Sequence, residues 1–226
     1  MEPIDLNTLP LPDRGLALVS DEELTRVLAS AIEEDGVLRG DITTLSIVPE
    51  GLEVVAEFVS RDPGVLAGMD LLGRASNLAP LAERVRIEAC CADGERIAAG
   101  QTIGRLHGTW RDVLGFERTL LNLVSRLCGV ATRTAQFVEA AGDGVLVCDS
   151  RKTTPGLRLM EKYAVACGGG HLHRLGLDDA VMYKDNHLAA VPESTIASVL
   201  ADAIGRARAD RPLRFVCVEV DRLDQF

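Results

Sequence analysis

Six cations crowd into residues 151–187: Arg151, Lys152, Arg158, Lys162, Arg174 and Lys184. Only four acids, Glu161, Asp178, Asp179 and Asp185, share that stretch, so it carries +2 while the rest of the chain carries −12. All three lysines of the chain lie there, and so do three of its four histidines (His171, His173, His187). A solvated charged face usually interleaves both signs. A cationic island in an acidic protein fits a pocket for a polyanionic small molecule. The polar residues also follow apolar, β-branched runs: VLVCD leads into Ser150-Arg151-Lys152-Thr153-Thr154, AVMY into Lys184-Asp185-Asn186-His187, and FVCV into Glu219 and Asp221. Parallel sheets and barrels gather their active sites at strand C-terminal edges, where neighbouring loops converge. His173-Arg174 reads as a pair of donors to an anion. His171 and His173 face the same way on an extended segment, but no third ligand stands at a suitable spacing, so no metal site is assigned. Gly168-Gly169-Gly170 lacks the sequence context of a phosphate-binding loop and reads as a tight turn.

These residues need elements to position them. Short β-branched runs at 144–149, 180–184 and 213–220 alternate with helical patterns at 157–167 and 193–208. That alternation implies βαβ units and a parallel sheet. Upstream, Ser20-Asp21-Glu22-Glu23 has the form of a capping box, and Leu24, Val27, Leu28, Ala31 and Ile32 follow at helical spacing. Gly36 and Gly40 would end that helix. Residues 53–59 and 85–90 read as strands with a helix at 69–79 between them, and DGERIAAGQTIGRL (93–106) reads as a hairpin. The hairpin resembles half of a lipoyl or biotinyl carrier domain, but it has no tip lysine, which rules out that function. Residues 1–19, with Pro3, Pro10 and Pro12, read as an extended arm. Residues 110–141 read as helical with a break near Gly129, and Trp110 as a packing residue. The expected fold class is α/β, with an N-terminal α+β sandwich domain (1–110) and an α/β domain (111–226).

Composition sets the outer limits. A chain of 226 residues, 47% hydrophobic, buries a core and is not a disordered composition. Net charge of −10 has the wrong sign for bulk electrostatic binding to nucleic acid. No 18-residue apolar run is present, and the N-terminus lacks the basic and apolar regions of a secretory signal, so a cytoplasmic protein without membrane spans is expected. Six cysteines without a C-x-x-C pair read as reduced thiols.

The segment DSRKTTPGLRLMEKYAVACGGGHLHRLGLDDAVMYKDNHL (149–188) has ERTLLNLVSRLCGVATRT (117–134) before it and VEVDRL (218–223) after it. With GDITT (40–44), GVLAG (64–68) and the glycine-punctuated 93–106 stretch, it resembles quinolinate phosphoribosyltransferase, the carboxylating nicotinate-nucleotide diphosphorylase family. The resemblance implies a barrel of the type II phosphoribosyltransferase kind after the sandwich domain, and a pentosyltransferase of NAD biosynthesis. Quinolinate would attack C1 of phosphoribosyl pyrophosphate, pyrophosphate would leave with Mg²⁺ help, and loss of CO₂ would give nicotinate mononucleotide. Carried over, Arg151, Lys152, His173 and Arg174 would line the quinolinate carboxylates, with Thr153 adding a hydroxyl. Lys184 would reach the phosphoribosyl or pyrophosphate groups, and Glu219 would face the developing ribosyl cation. Lys152, Lys184 and Glu219 are the expected catalytic residues. Arg118 would enter the neighbouring subunit's pocket, making a homodimer the active unit. Lys162 matches the family's E-K-Y-A without an assigned role. Cations and a carboxylate meeting in one closed pocket suit a dicarboxylate, a leaving diphosphate and an oxocarbenium-like C1.

Two departures accompany the resemblance. Leu172 stands where the family has asparagine, which removes a hydrogen-bonding side chain near the substrate. The family's barrel also continues beyond the strand bearing Glu219, so the barrel is expected to be incomplete and the sequence to be a truncated record or gene fragment. Two other readings fit parts of the same pattern. A molybdenum-transport-associated paralogue shares the fold but tends to lose the lysine of K-D-N-H, which is present here as Lys184. An inactive fragment acting as a dimer partner of an intact copy is the second.

Overall fold

The computed structural model describes residues 4–223, which form two compact units. The larger runs from Leu9 to Leu172; the smaller combines residues 4–8 with 173–223.

The larger unit opens with helix α1 (Leu11–Leu18) rather than an extended arm. Pro12 lies in the first turn, where a missing N–H costs nothing and a fixed φ already suits the helix, so proline starts this element instead of preventing it. Pro3 falls outside the described residues. Helix α2 (Asp21–Asp35) is capped by Ser20, whose Oγ accepts from the Glu23 amide at 3.2 Å, and ends at Gly36 with φ 71°. Only half of the capping box forms, because the Glu23 carboxylate turns to Arg26 at 2.8 Å. After α3 (Ile42–Ile47) come β1 (Glu53–Val59), β2 (Gly64–Val65), α4 (Met69–Ala75), β3 (Val85–Ala89), β4 (Arg96–Ile97) and β5 (Thr102–Thr109). Strands β1, β5 and β3 make an antiparallel sheet with β5 in the centre, and α4 packs against it.

The 93–106 stretch is not a hairpin. Strand β4 pairs with β2, while β5 joins the other sheet. The turn at 99–100 instead bonds to the segment after β1: Gly100 donates to the Ser60 carbonyl at 2.8 Å, and Ser60 donates to Gln101 at 2.9 Å. Those bonds divert the chain from one sheet to the next.

Helix α5 (Trp110–Ala141) is a single 32-residue helix, unbroken at Gly129. One glycine inside a helix costs about 1 kcal/mol relative to alanine. The buried stripe Val113, Phe116, Leu120, Leu123, Val124, Leu127 and Ala131 outweighs that many times over. Trp110 is 39% exposed, so it is a helix-start surface residue rather than a packing anchor; its amide donates to the Leu52 carbonyl at 2.7 Å. Helix α6 (Arg158–Cys167) packs on α5 and α1. Its end at Gly168 is a close approach: a Cβ there would lie 2.3 Å from the Ala131 carbonyl oxygen of α5. The glycine run is therefore a turn demanded by helix packing.

Asp93, buried in the turn before β4, ties this unit together. Its carboxylate accepts from the amides of Gly68, Met69 and Asp70 at the start of α4 and from the Tyr163 hydroxyl of α6 at 2.9 Å. Burial pushes the Tyr163 phenol far above its ordinary pKa, and the Asp93 charge adds to the effect, so the hydroxyl keeps its proton and donates it. Burial, then the same negative charge, also raise the Asp70 carboxyl and the Cys167 thiol.

Residues 144–149 do not form a strand. Val145 and Leu146 are exposed, and the segment makes one isolated parallel bridge, Cys148 with His171. The facing chain is extended only briefly between the glycine turn and the end of this unit, so no longer ladder forms within it.

In the smaller unit, β6 (Val181–Tyr183) and β7 (Val216–Val218) pair in parallel. Between them lie α7 (Asp185–Leu188) and α8 (Ile196–Asp210). This is the βαβ arrangement read from the sequence. All six cysteines are free. No helix among the described residues is long and apolar enough to cross a membrane.

Candidate active-site elements

In the smaller unit, parallel pairing sends the C-terminal ends of β6 and β7 to the same side. Glu219 N donates to the Tyr183 carbonyl at 2.9 Å, extending the ladder by one step, and this places Lys184 beside Glu219. Lys184 Nζ donates to Glu219 Oε2 at 2.8 Å. Both side chains remain partly exposed, so the pair can open toward a ligand at little cost. The same unit shapes the loop that follows residue 172. Asp179 Oδ2 accepts from the Leu175 amide at 2.7 Å and from Arg214 Nη1 at 3.0 Å. Arg214 also donates to the His173 carbonyl at 3.3 Å, and the His173 ring stands edge-on to Phe215 with centroids 4.6 Å apart. His173 and Arg174 are thus presented on a braced turn. Arg214 and Asp179 brace this turn and were missed by sequence reasoning.

In the larger unit, Arg151, Lys152 and Thr153 lie on the connection between residue 149 and α6. Lys152 is exposed, and its amide donates to Ser150 Oγ at 3.1 Å. Arg151 is half-buried, and its Nε is a buried donor with no hydrogen bond among the described residues. Thr153 Oγ1 accepts from Arg158 Nε at 3.2 Å. Leu172, the departure from the family pattern, is 3% exposed and belongs to the core.

Lys162, whose role was open, is fully buried. Its Nζ meets Asp149 Oδ1 at 2.6 Å. The preceding residue, Glu161, is also buried and accepts from the Thr154 amide at 3.0 Å and hydroxyl at 2.7 Å, and from Arg126 of α5 at 2.7 Å. Burial pushes the Glu161 carboxyl up, but the Thr154 and Arg126 donors outweigh it and hold its pKa below the ordinary value. A lowered folded pKa stabilises fully above the ordinary glutamate value of about 4.3, and that stability is lost as pH falls through the folded value. Melting temperature followed from about pH 6 to about pH 3 is therefore expected to fall more steeply in the parent chain than in Glu161→Gln. Parallel curves would show that the group contributes no such linkage. Asp149, Glu161 and Arg126 were not legible as a set, because each finds its partner 7 to 35 residues away.

Arg118 is exposed on α5, borders cavities of ≈ 360 and ≈ 1030 Å³, and makes no hydrogen bond or ion pair among the described residues. Among those residues no group of three or more His, Cys, Asp or Glu side chains is arranged to hold a metal ion.

Comparison with known proteins covers most of the chain. Residues 41–128 match the N-terminal domain model of quinolinate phosphoribosyl transferase, and residues 130–226 match its C-terminal domain model. A nicotinate-nucleotide pyrophosphorylase (carboxylating) of Mycobacterium leprae is 41% identical over 196 residues, covering 86% of this chain and 67% of that protein. A probable enzyme of the same name from Bacillus subtilis is 42% identical over 169 residues, covering 74% of this chain and 57% of that one. The crystal structure of NadC from Streptococcus pyogenes superposes with a TM-score of 0.80 at 36% identity, over 92% of this chain and 71% of that chain. The nicotinate-nucleotide pyrophosphorylase of Francisella tularensis gives 0.77 at 31% identity, over 99% and 73%. The chain spans about half to two thirds of the length of the curated relatives it matches. Its α/β architecture is that of the type II phosphoribosyltransferases, and the chain belongs to the quinolinate phosphoribosyl transferase family.

Proposed function

We propose that this chain carries the site for phosphoribosyl transfer from phosphoribosyl pyrophosphate to quinolinate, with decarboxylation to nicotinate mononucleotide. The observation that carries the reading is the Lys184–Glu219 pair at the ends of two adjacent parallel strands. Transfer at C1 separates a negative diphosphate from a positive ribosyl carbon, so a cation and a carboxylate held side by side can serve the two halves of that charge separation. Lys184 takes the diphosphate side and Glu219 the ribosyl side. In the larger unit Arg151, Lys152 and Thr153, and in the smaller His173 and Arg174, each offer donors suited to the quinolinate carboxylates. The orphaned Arg151 Nε supports this, because a buried guanidinium N–H without an acceptor suits an anionic ligand.

Mg²⁺ carried by phosphoribosyl pyrophosphate would offset the charge of the leaving diphosphate, and Glu219 is the carboxylate beside Lys184 that could face it. Arg118, exposed and without a hydrogen bond or ion pair among the described residues, reaches into the site of a second copy in this reading, so the homodimer is the working unit; a cytoplasmic setting belongs to the same reading. The names of the curated relatives do not favour the molybdenum-transport-associated paralogue.

The test is to titrate the 226-residue chain with quinolinate, then add phosphoribosyl pyrophosphate and Mg²⁺ and follow nicotinate mononucleotide by mass. Saturable quinolinate binding and product formation are expected. A chain that binds no quinolinate overturns the proposal.

A further inference from the structure

We propose that Glu161 and Lys162 are positioning residues that clamp both ends of the segment bearing Arg151, Lys152 and Thr153. Lys162 holds Asp149, the residue just before the segment, through a 2.6 Å ion pair whose side chains are 1% and 4% exposed. Glu161 holds Thr154, just after it, through the amide and the hydroxyl. Adjacent residues on a helix point about 100° apart, so one turn of α6 reaches two separate points of the connection. Arg126 braces the clamp from α5 by donating to both Glu161 Oε1 and Thr154 Oγ1.

The segment itself has few restraints of its own. Within it, Lys152 N bonds Ser150 Oγ, and Thr153 Oγ1 meets its own loop at Arg151 O and the first residue of α6, Arg158. The ligand-facing cations are therefore placed by where residues 149 and 154 are held. Burying an ion pair is a costly way to gain stability, since apolar residues of similar volume often do as well. A fixed geometry at both ends of a ligand-binding loop is a use to which such a pair is suited.

The inference rests on the reading of Arg151, Lys152 and Thr153 as quinolinate ligands, and the test separates the two. Quinolinate and phosphoribosyl pyrophosphate are titrated separately into the parent chain, Glu161→Gln, Lys162→Met and the double variant Asp149→Asn/Lys162→Met. Circular dichroism and melting temperature follow the fold. Glu161→Gln keeps the shape, and the double variant leaves no buried charge unpaired, so both keep the question open even where Lys162→Met fails to fold. The expected result is a loss of quinolinate affinity of about tenfold to 10²-fold in the folded variants, with phosphoribosyl pyrophosphate binding unchanged. Parent-like quinolinate binding in Glu161→Gln and in the double variant overturns the proposal. Equal weakening toward both ligands that tracks melting temperature also overturns it, in favour of a purely structural role. A parent chain that does not bind quinolinate removes the function proposed above, and the clamp with it.

Discussion

Replacing Lys184 with alanine is expected to lower the initial rate of nicotinate mononucleotide formation by about 10²–10³-fold, the usual cost of removing one donor aimed at developing charge. The fold should barely notice. The Lys184–Glu219 pair is partly exposed on both sides, and pairs of that kind contribute about 1 kcal/mol or less. Lys152→Ala should behave in the same way, because Lys152 is exposed. Lys162→Met should do the opposite. It removes the ion-pair partner of the buried Asp149 carboxylate, and breaking one side of such a pair typically costs about 3–5 kcal/mol. Turnover by Lys152→Ala or Lys184→Ala within a few-fold of the parent would take that residue out of the reaction.

Asp93→Ala is expected to be among the most damaging single changes to stability in the larger unit, on a par with Lys162→Met. It strips the acceptor from three backbone amides at the start of α4 and from the Tyr163 hydroxyl, all in a buried setting. Leaving buried donors unpaired costs about 1–3 kcal/mol each in the general case, with partial relief as the site relaxes, so a loss of about 3–5 kcal/mol is expected. For a chain of this size that corresponds to a fall in melting temperature of roughly 10 °C. Asp93→Asn keeps one carbonyl oxygen for the helix start and should lose less. A thermal melt of the three proteins settles the order, and an Asp93→Ala protein that melts with the parent would show that water replaces the carboxylate without penalty.

Local signals were the legible ones. Strand β1 follows the EVVAEFV alternation to the residue, and α2 begins at its serine cap and stops at its glycine. Parallel pairing of β6 with β7 also follows from short apolar runs separated by a helical pattern. Errors arose where a neighbour distant in sequence overrode a local preference. Gly129 reads as a break, yet the buried stripe of α5 carries the helix through it. Residues 144–149 have strand composition but only one short neighbour in their unit, and β-structure requires a partner. The 93–106 glycines mark turns correctly, but which strands they join depends on Ser60.

The site divides along the same line. Lysine scarcity singled out Lys152 and Lys184, and strand-end placement was legible for Lys184 and Glu219, which follow β6 and β7. The residues that hold them were hidden, because an acid beside a cation in sequence counts only as charge. Glu161 and Asp179 entered the sequence reading as two of four acids in a basic stretch; in the fold they anchor the two connections that carry the cations.

Helix α5 adds a mechanical consequence. Arg118 and Arg126 are eight residues apart on one uninterrupted helix, a separation of about 12 Å along its axis. The first is exposed and has no hydrogen bond or ion pair among the described residues, and the second ends in the Glu161–Thr154 contact behind the chain's own loop. In a dimer where Arg118 serves the opposite site, a single stiff rod would join the loop of one protomer to the ligand of the other.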